Sequence, residues 1–432
     1  MIIRIKTKTE IMWIIVFLFL LKTYVLKAES FFLCCCAIIG LYTIKKKKIV
    51  FPRIPGLLVY IGSLIIATFV GITRYPITMV ERDVFYEVFS ILYIFIGYYC
   101  FDYYKDREKS LWKTVCLTLF ITSAVCMVQG LFSVTGGADF MTFRSDFSQN
   151  VISISMIIPL LFGKLFVFKE PTFSTVKDTL LLILWGAQAL LNLSRMSIVN
   201  ILFGIVLVLI CALYKKVINT KNTFKIASII LCLLVAGVVF IKIMPDEATD
   251  RFGEKFENTL VEINADNEYD SLSSAQSDWR GYEIQCAEEQ WRKNNFLEMI
   301  FGEGNGKLIN IHFIPDQWKE TAEIQNGKTG VTVLHNTYYT LLVKGGIIAV
   351  AALITMLFVS IIKAIKNMKR ANKKNIWYST IVITIVILIS IDAYVVRNMM
   401  DKGSEMTMLM LFGNIIAEMN NRGKVEVIDE KF

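Results

Sequence analysis

The residues of this sequence best suited to chemistry include one histidine near the start of an apolar stretch. His335 stands in the run His335-Asn336-Thr337-Tyr338. An unperturbed histidine titrates near neutral pH and can accept a proton from a hydroxyl group. The alternative is an ordinary polar residue at a membrane interface. The other histidine, His312, lacks such a setting and is interpreted as a loop residue.

Three arginines have positions suited to binding an anion. Arg195 lies in a tight connection between two apolar runs. A guanidinium at a membrane face can bind phosphate oxygens in a bidentate way, and it can equally extend towards lipid headgroups. Arg280 opens a predicted amphipathic helix, and Arg292 lies near the other end of that helix. For these two arginines the alternative is a charge on a solvated helix face.

Other polar patterns have weaker implications. Gly302, Gly304 and Gly306 have Gly-x-Gly-x-Gly spacing, but the run lacks the preceding strand and following long helix of a dinucleotide loop, so we predict a turn. Glu87 and Asp392 fall within apolar runs, where acids often mark ion or proton paths. These two acids keep a transporter interpretation open.

The cysteines do not suggest a metal site or a disulfide framework. The chain has nine cysteines, most of them in or beside apolar runs, and Cys286 has no partner in the long polar segment. The Cys and His spacings typical of zinc sites are missing from the sequence. We therefore expect small buried apolar side chains, and no metal and no cofactor.

The composition determines which elements must position these residues. The chain has 432 residues, of which 55% are hydrophobic and only 19% charged, and its net charge is +9. Long apolar runs at this composition exclude a soluble enzyme, and the many aromatic residues exclude a disordered chain. No basic stripe is interleaved with aromatics outside the apolar runs, so nucleic-acid binding is not expected.

About twelve apolar runs can be assigned as membrane spans. They are Ile11–Leu26, Ser30–Ile44, Pro55–Thr73, Val84–Phe101, Leu111–Phe132, Val151–Phe168, Thr179–Leu193, Met196–Tyr214, Ile226–Met244, Thr337–Ile365, Ile376–Val396 and Glu405–Ala417. We see no internal repeat of the kind that many transporters contain.

The lysines predict the orientation of these spans. With a cytoplasmic N-terminus, the lysine-rich short loops, such as Lys45–Lys48 and Lys363–Lys374, all fall on the cytoplasmic side. The segment between Pro245 and Leu334 is then outside, and it contains 18 acidic residues against 8 basic ones. Within it, Trp279–Lys293 has the pattern of an amphipathic helix.

The predicted fold is an all-α polytopic membrane protein with about 12 transmembrane helices and one large, mainly helical extracytoplasmic loop. Residues 1–244 form an N-terminal membrane domain of about nine spans, and residues 245–334 form the loop. Residues 335–417 form the C-terminal membrane spans, and residues 418–432 form a cytoplasmic tail.

The order of these features resembles the O-antigen ligase and polysaccharide polymerase family of bacterial membrane glycosyltransferases. The resemblance rests on a Ser-Arg at an outer span connection, a long outer loop, the arginine-led helix RGYEIQCAEEQW, the Gly-x-Gly run and HNTYYTLLVKGGI. The strongest match covers Trp279–Ile348. Two features depart from the family pattern: the run RSDFSQN lacks a Gly and a Pro, and Lys344 stands where an acidic residue is common.

The resemblance implies a C-type glycosyltransferase-like enzyme of the bacterial cytoplasmic (inner) membrane, with both termini cytoplasmic. The donor would be a glycan on undecaprenyl diphosphate, and the acceptor would be a second glycan. Membrane lipid and, for a polymerase, a chain-length regulator are the other implied partners. Arg195 and Arg280, with Arg292 in reserve, would stabilise the diphosphate leaving group without a metal.

The resemblance also implies roles for the residues of the HNTY run. His335 would deprotonate the acceptor hydroxyl, and Asn336 and Tyr338 would orient it. Our preferred function is polymerisation of repeat units of a surface polysaccharide, such as a capsule or an O-antigen. The first alternative is a ligase that transfers finished glycan to an acceptor. The alternative from another class is a transporter or flippase of the lipid-linked glycan.

Overall fold

The structure is a computed structural model of the whole chain. It describes residues 28–46, 51–103, 107–135, 147–148, 150–192, 194–218, 269–314, 323–325, 327–370, 372–396, 398–400 and 406–429.

The described part of the chain before residue 219 consists of helices joined by turns and short irregular segments. Its helices are α1 (Ala28–Lys46), α2 (Leu57–Arg74), α3 (Ile77–Tyr103), α4 (Arg107–Thr135), α5 (Val151–Phe162), α6 (Thr175–Leu191) and α7 (Arg195–Tyr214). A π-helical turn, Gly163–Val167, extends α5.

The described part of the predicted outer segment contains short helices and a small sheet. The helices are α8 (Leu272–Ser277), α9 (Trp279–Arg292) and α10 (Phe296–Phe301), and the strands are β1 (Ile309–Asn310), β2 (Glu323–Gln325) and β3 (Lys328–Val331). The strands are antiparallel in the order β1-β3-β2, with Ile309 opposite Val331 and Gln325 opposite Lys328. The sequence pattern predicted α9 but not the sheet. Strands of two to four residues are too short to show the alternation of apolar and polar residues.

Three long helices follow. They are α11 (Thr337–Met368), α12 (Lys373–Val395) and α13 (Met406–Asp429), with a 3-10 turn, Asn398–Met400, between the last two.

A helix lies at each predicted span that the structure describes, but α6 and α13 are not among the described helices that are long and apolar enough to cross a membrane. Six helices are long and apolar enough to cross a membrane, namely α2, α3, α4, α7, α11 and α12, and α1 and α5 contain shorter apolar stretches. The structure therefore supports a polytopic helical membrane protein. The predicted runs Ile11–Leu26 and Ile226–Met244 lie outside the described residues. The total of about 12 spans and the domain boundaries stay predictions.

Several of these helices begin where a small polar side chain caps the first turn. Ser194 accepts a hydrogen bond from the backbone of Ser197 at the start of α7, and Asn336 accepts one from Tyr339 at the start of α11. Such caps satisfy N–H groups that have no partner inside the helix. Capping therefore determines where the residues that follow each cap, including Arg195, enter their helix.

The outward faces of the helix bundle are apolar. On α2, Leu58, Val59 and Phe69 are 59%, 60% and 66% exposed. Apolar side chains at this density on an outer face fit a lipid environment, where they meet hydrocarbon instead of water. Inside the bundle, α3 and α13 approach closely, and Asn414 donates to the carbonyl of Gly97 at 3.2 Å.

Candidate active site

The centre of the candidate site is a contact between His335 and a buried glutamate, Glu283. The ring nitrogen Nδ1 of His335 lies 3.0 Å from Oε1 and 3.1 Å from Oε2 of Glu283. The backbone N–H of His335 donates to Oε2 at 2.9 Å. A carboxylate at Nδ1 selects the tautomer with a proton on that nitrogen, so the lone pair of the neutral ring lies on Nε2.

Helix α9 holds Glu283 in this position. The indole N–H of Trp279 donates to Oε1 of Glu283 at 2.8 Å, so both carboxylate oxygens are engaged. Asp278 caps α9 by accepting from the backbone of Gly281 at 3.0 Å, and Tyr269 donates to Asp278 at 2.6 Å. Burial, and then this hydrogen bond, raise the pKa of Tyr269 above its ordinary value. The phenol therefore stays protonated and continues to donate.

The backbone on both sides of His335 is also fixed. The backbone N–H of Leu334 donates to Oγ1 of Thr340 at 3.1 Å, and this hydroxyl donates to the carbonyl of Asn336 at 2.9 Å. Oδ1 of Asn336 accepts from the backbone of Tyr339 at 3.2 Å. Nδ2 of Asn336 is buried and has no hydrogen-bond partner among the described residues.

Tyr338 and Asn200 are far apart in the sequence but bind residues at the same end of α12. The hydroxyl of Tyr338 donates to the carbonyl of Ser390 at 3.2 Å. On α7, five residues after Arg195, Nδ2 of Asn200 donates to both carboxylate oxygens of Asp392, at 3.1 and 3.0 Å. Since Ser390 and Asp392 are neighbours on α12, the starts of α7 and α11 lie at one end of the bundle.

The two arginines of α9 occupy different sides of the helix. Arg280 precedes Glu283 by three residues and therefore lies within one turn of it. Arg292 follows Glu283 by nine residues, and a rotation of about 100° per residue places it on the opposite side of α9. It is exposed and pairs with Glu288 at 3.2 Å. On α9, Arg280 thus lies within one turn of Glu283, whereas Arg292 lies on the opposite side of the helix.

The Gly-x-Gly-x-Gly run forms a loop that docks against a kink in α11. The kink is at Gly346, whose φ of 65° and ψ of −169° lie outside the helical region. It frees the carbonyls of Val343 and Lys344, which accept the backbone N–H groups of Glu303 and Gly304, each at 2.9 Å. The loop follows α10 and has no strand before it, so it lacks the context of a dinucleotide site.

Buried charges lie under this loop. Lys344 is fully buried and forms a hydrogen-bonded ion pair with Asp83 of α3. Asp83 also accepts from the backbone of Gly306 at 2.6 Å, and Asn305 donates to Glu87 at 2.9 Å. Lys344, a departure from the family pattern, is therefore compensated by a carboxylate from another helix. The loop joins the polar segment to the membrane helices.

A cavity of about 420 Å³ opens beside α9. Its lining consists mainly of lysines, glutamates and amides: Cys286, Glu289, Gln290, Lys293, Asn294, Glu303, Lys307, Asn310, Ile311, His312, Lys328 and Thr329. The volume falls within the range of ligand sites, and a polar lining suits a ligand rich in hydroxyl groups. Glu283 lies one turn before Cys286 on the same helix, so the cavity is adjacent to the side of α9 that faces His335.

Sequence reasoning missed Glu283 and Asn200. Glu283 is the third residue after Arg280 in a predicted helix, which places it near that arginine but says nothing of a histidine 52 residues later. No sequence pattern marks Asn200 as a functional residue, although its partner Asp392 was recognised as an acid within a predicted span. Both omissions concern contacts between elements that are distant in the sequence.

Comparison with known proteins yields one family match. Residues 180–354, from α6 to the middle of α11, match the family model described as O-antigen ligase. A search of curated proteins found no match to the chain. The matched range includes all six predicted site residues and Glu283. Members of the family are glycosyltransferase-like ligases and polymerases that act on a lipid-linked glycan and an acceptor. The match to residues 180–354 supports the assignment of this chain to the family of O-antigen ligases and polymerases.

Proposed function

We propose that this protein polymerises undecaprenyl-diphosphate-linked oligosaccharide repeat units of a surface polysaccharide at the outer face of the cytoplasmic membrane. The family match supports activity of the ligase and polymerase type. The observation that carries the proposed mechanism is the contact between His335 and Glu283, which lies within the matched region and suits transfer by either type of enzyme. A histidine held by a buried carboxylate at the start of a membrane helix has the arrangement of a general base.

The proposed reaction is a single displacement. Nε2 of His335 accepts the proton of an acceptor hydroxyl, and the hydroxyl oxygen forms a bond to the anomeric carbon of the donor. The bond from that carbon to the diphosphate oxygen breaks, and the diphosphate leaves with the electron pair. Glu283 stabilises the imidazolium that forms, because its carboxylate lies 3.0 Å from Nδ1.

The leaving diphosphate requires cationic donors. Arg195 is half-buried at the start of α7, and Arg280 lies one turn from Glu283. Guanidinium groups bind phosphate oxygens through two parallel N–H donors, which stabilises charge on the leaving group. We assign Arg195 and Arg280 to this role. Arg292 is the reserve candidate, since its pairing with Glu288 at the surface leaves it less suited.

The acceptor glycan requires hydrogen-bonding groups beside His335. We assign Nδ2 of Asn336 to this role, because it is buried and unpaired among the described residues. Tyr338 donates a hydrogen bond to the carbonyl of Ser390, and its phenol oxygen can still accept one from a sugar hydroxyl. The polar cavity beside α9 offers room for further sugar units. A sheltered site also favours transfer over hydrolysis of the donor by water.

The test is a size profile of surface glycan and undecaprenyl-linked glycan in a strain that lacks this protein. Complementation uses the wild-type protein, His335→Ala and the control Glu298→Gln, whose side chain pairs with Arg74 and does not line the cavity. We expect single repeat units in the deletion strain, and long chains again with the wild type and Glu298→Gln. His335→Ala should accumulate in the membrane and leave single repeat units.

Each other profile points to a different function. Long chains that stay on the lipid carrier would identify a ligase, and repeat units trapped on the cytoplasmic leaflet would identify a flippase. Normal glycan made by His335→Ala would show that His335 is not the general base. An unchanged profile in the deletion strain would contradict the whole proposal.

A further inference from the structure

A second cavity lies at the opposite end of α11 from His335. It has a volume of about 240 Å³ and is lined by Lys363, Lys366, Asn367, Arg370, Met419 and Asn420. His335 precedes α11, and Lys363 follows it by 28 residues, which corresponds to roughly 40 Å of helix. The lysine pattern predicts that this end is cytoplasmic. The cavity is therefore separate from the candidate active site.

The lining of this cavity is cationic. Lys363, Lys366 and Arg370 are spaced so that they project from one face of α11 and its extension, and none of the described lining residues is acidic. Lys363 is half-buried, and its ammonium binds Oδ1 of Asn420. Asn420 is itself oriented, because its Nδ2 donates to the carbonyl of Arg53 at 3.0 Å. The polar groups of the cavity thus include a cation held in place by an oriented amide.

Membrane topology alone does not account for this arrangement. The positive-inside pattern requires cations near the membrane surface, but it does not require them to surround a cavity or to be half-buried. Lys363 lies five residues before the end of α11, about 7–8 Å inside the helix terminus. The lysine pattern predicts that this terminus lies at the cytoplasmic membrane surface, where the phosphates of anionic lipids are found.

We propose that this cavity binds the phosphate of an anionic phospholipid headgroup from the cytoplasmic leaflet. Two lysines and an arginine donate to phosphate oxygens, and Met419 contacts the apolar part of the lipid. The same chemistry would suit soluble phosphate, but the predicted place of the cavity at the cytoplasmic membrane surface and the apolar Met419 in its lining favour a lipid. The proposal does not depend on the reaction at His335.

The test uses the purified full-length protein in nanodiscs of phosphatidylcholine that contain phosphatidylglycerol. Bound phosphatidylglycerol is measured by native mass spectrometry after release from the nanodisc. The variants are Lys363→Gln and Arg370→Gln. Lys369→Gln is the matched control, since Lys369 is exposed in the same loop but does not line the cavity. We expect at least tenfold less bound phosphatidylglycerol in each cavity variant and wild-type retention in the control.

Several outcomes would overturn the proposal. Equal retention in the wild type and both cavity variants would mean that the cavity is not the site. An equal loss of bound phosphatidylglycerol in Lys369→Gln would mean that the lower net charge, and not the cavity, causes the effect. Release of phosphatidylglycerol by inorganic phosphate, with phosphate bound in phosphatidylcholine nanodiscs alone, would identify a soluble anion instead. If Lys363→Gln does not fold, the comparison of Arg370→Gln with the wild type tests the proposal. Arg370 lies beyond the end of α11 and is exposed, so its substitution should not prevent folding.

Discussion

At the scale of single residues, the main feature of the site is the buried carboxylate behind His335. An isolated interfacial histidine can rotate and can hold its proton on either nitrogen. Glu283 accepts from both the backbone and, at Nδ1, the ring of His335, so it restricts the ring and its tautomer together. The proposed role of His335 as a general base rests on this pairing, which its position in the sequence alone does not reveal.

The first prediction tests this role of Glu283. Glu283→Gln keeps the shape of the side chain and removes its charge, so the imidazolium loses its stabilising partner. We expect the rate of glycan transfer to fall by roughly 10²–10⁴-fold, the range of a general base. Donor affinity should stay unchanged, because the diphosphate contacts are assigned to other residues. The measurement is single-turnover transfer by purified protein, with donor binding measured separately.

The control for this substitution is Glu298→Gln in the same outer segment. Glu298 forms a partly exposed ion pair with Arg74 at 2.7 Å, and such pairs contribute at most about 1 kcal/mol. The control should transfer glycan at the wild-type rate. Wild-type turnover by Glu283→Gln itself would mean that the carboxylate has only a structural role.

At the scale of elements, the kink in α11 and the glycine loop form one unit. The kink exposes backbone carbonyls inside the bundle, and the loop supplies N–H groups that satisfy them. A Cβ on Gly346 would lie 2.2 Å from the carbonyl oxygen of Ile300, so only glycine allows this approach. The loop also carries Glu303, which accepts from Gln290 of α9 at 2.7 Å. The kink therefore helps to position α9.

The second prediction concerns Gly346→Ala. Its φ of 65° with ψ near 180° is a region that essentially only glycine occupies, so the strain alone costs about 1–3 kcal/mol. The clash with Ile300 adds to this cost. We expect a lower thermal unfolding temperature in detergent and a loss of transfer, because the loop and α9 must shift.

Gly186→Ala provides the comparison for this substitution. Gly186 is helical in α6, and a Cβ there meets nothing within 4 Å. Alanine should leave stability unchanged or raise it by about 0.5–1 kcal/mol. Equal unfolding temperatures for the two variants would contradict the importance of the kink.

The third prediction concerns the ion pair between α3 and α11. Lys344→Met leaves the carboxylate of Asp83 buried without its cation, and removal of one partner from a buried pair costs roughly 3–5 kcal/mol. The double variant Lys344→Met with Asp83→Asn removes the unpaired charge, so part of that stability should return. Thermal unfolding of the purified variants measures both effects. A double variant no more stable than Lys344→Met would show that the charge is not the cause.

At the scale of the whole molecule, the chain separates a polar segment from a lipid-facing helix bundle. The candidate active site lies where the polar segment meets the starts of α7 and α11, and the cationic cavity lies at the other end of α11. This arrangement predicts opposite accessibility for the two ends. The orientation itself comes from the distribution of lysines.

The fourth prediction tests this orientation with two cysteine substitutions. Lys328→Cys on β3 should react with a membrane-impermeant maleimide in spheroplasts, whereas Lys369→Cys should react only after permeabilisation. Both native lysines are exposed, so side-chain burial does not bias the comparison. Burial raises the pKa of the Cys286 thiol, so this native cysteine stays protonated at neutral pH and reacts slowly. The unsubstituted protein gives the background labelling. Labelling of Lys369→Cys in intact spheroplasts would contradict the predicted orientation.

The sequence by itself indicated the helical membrane character and the resemblance to the O-antigen ligase and polymerase family. Apolar runs long enough to span a bilayer are a local property, and helices occur at each predicted run that the structure describes. The histidine, the arginines and the glycine run could be recognised because their types and order form a pattern along the chain. The family match over residues 180–354 agrees with that pattern.

Only the tertiary structure decided which of these residues meet. Glu283 contacts His335 across 52 residues, Lys344 pairs with Asp83 across 261, and Asn200 pairs with Asp392 across 192. The sheet formed by β1, β2 and β3 was also invisible in the sequence. The physical reason is that helix and strand periods report which face of an element is buried, but not which other element covers it. Contacts between distant elements depend on how whole helices pack, and they determine the chemistry available to His335.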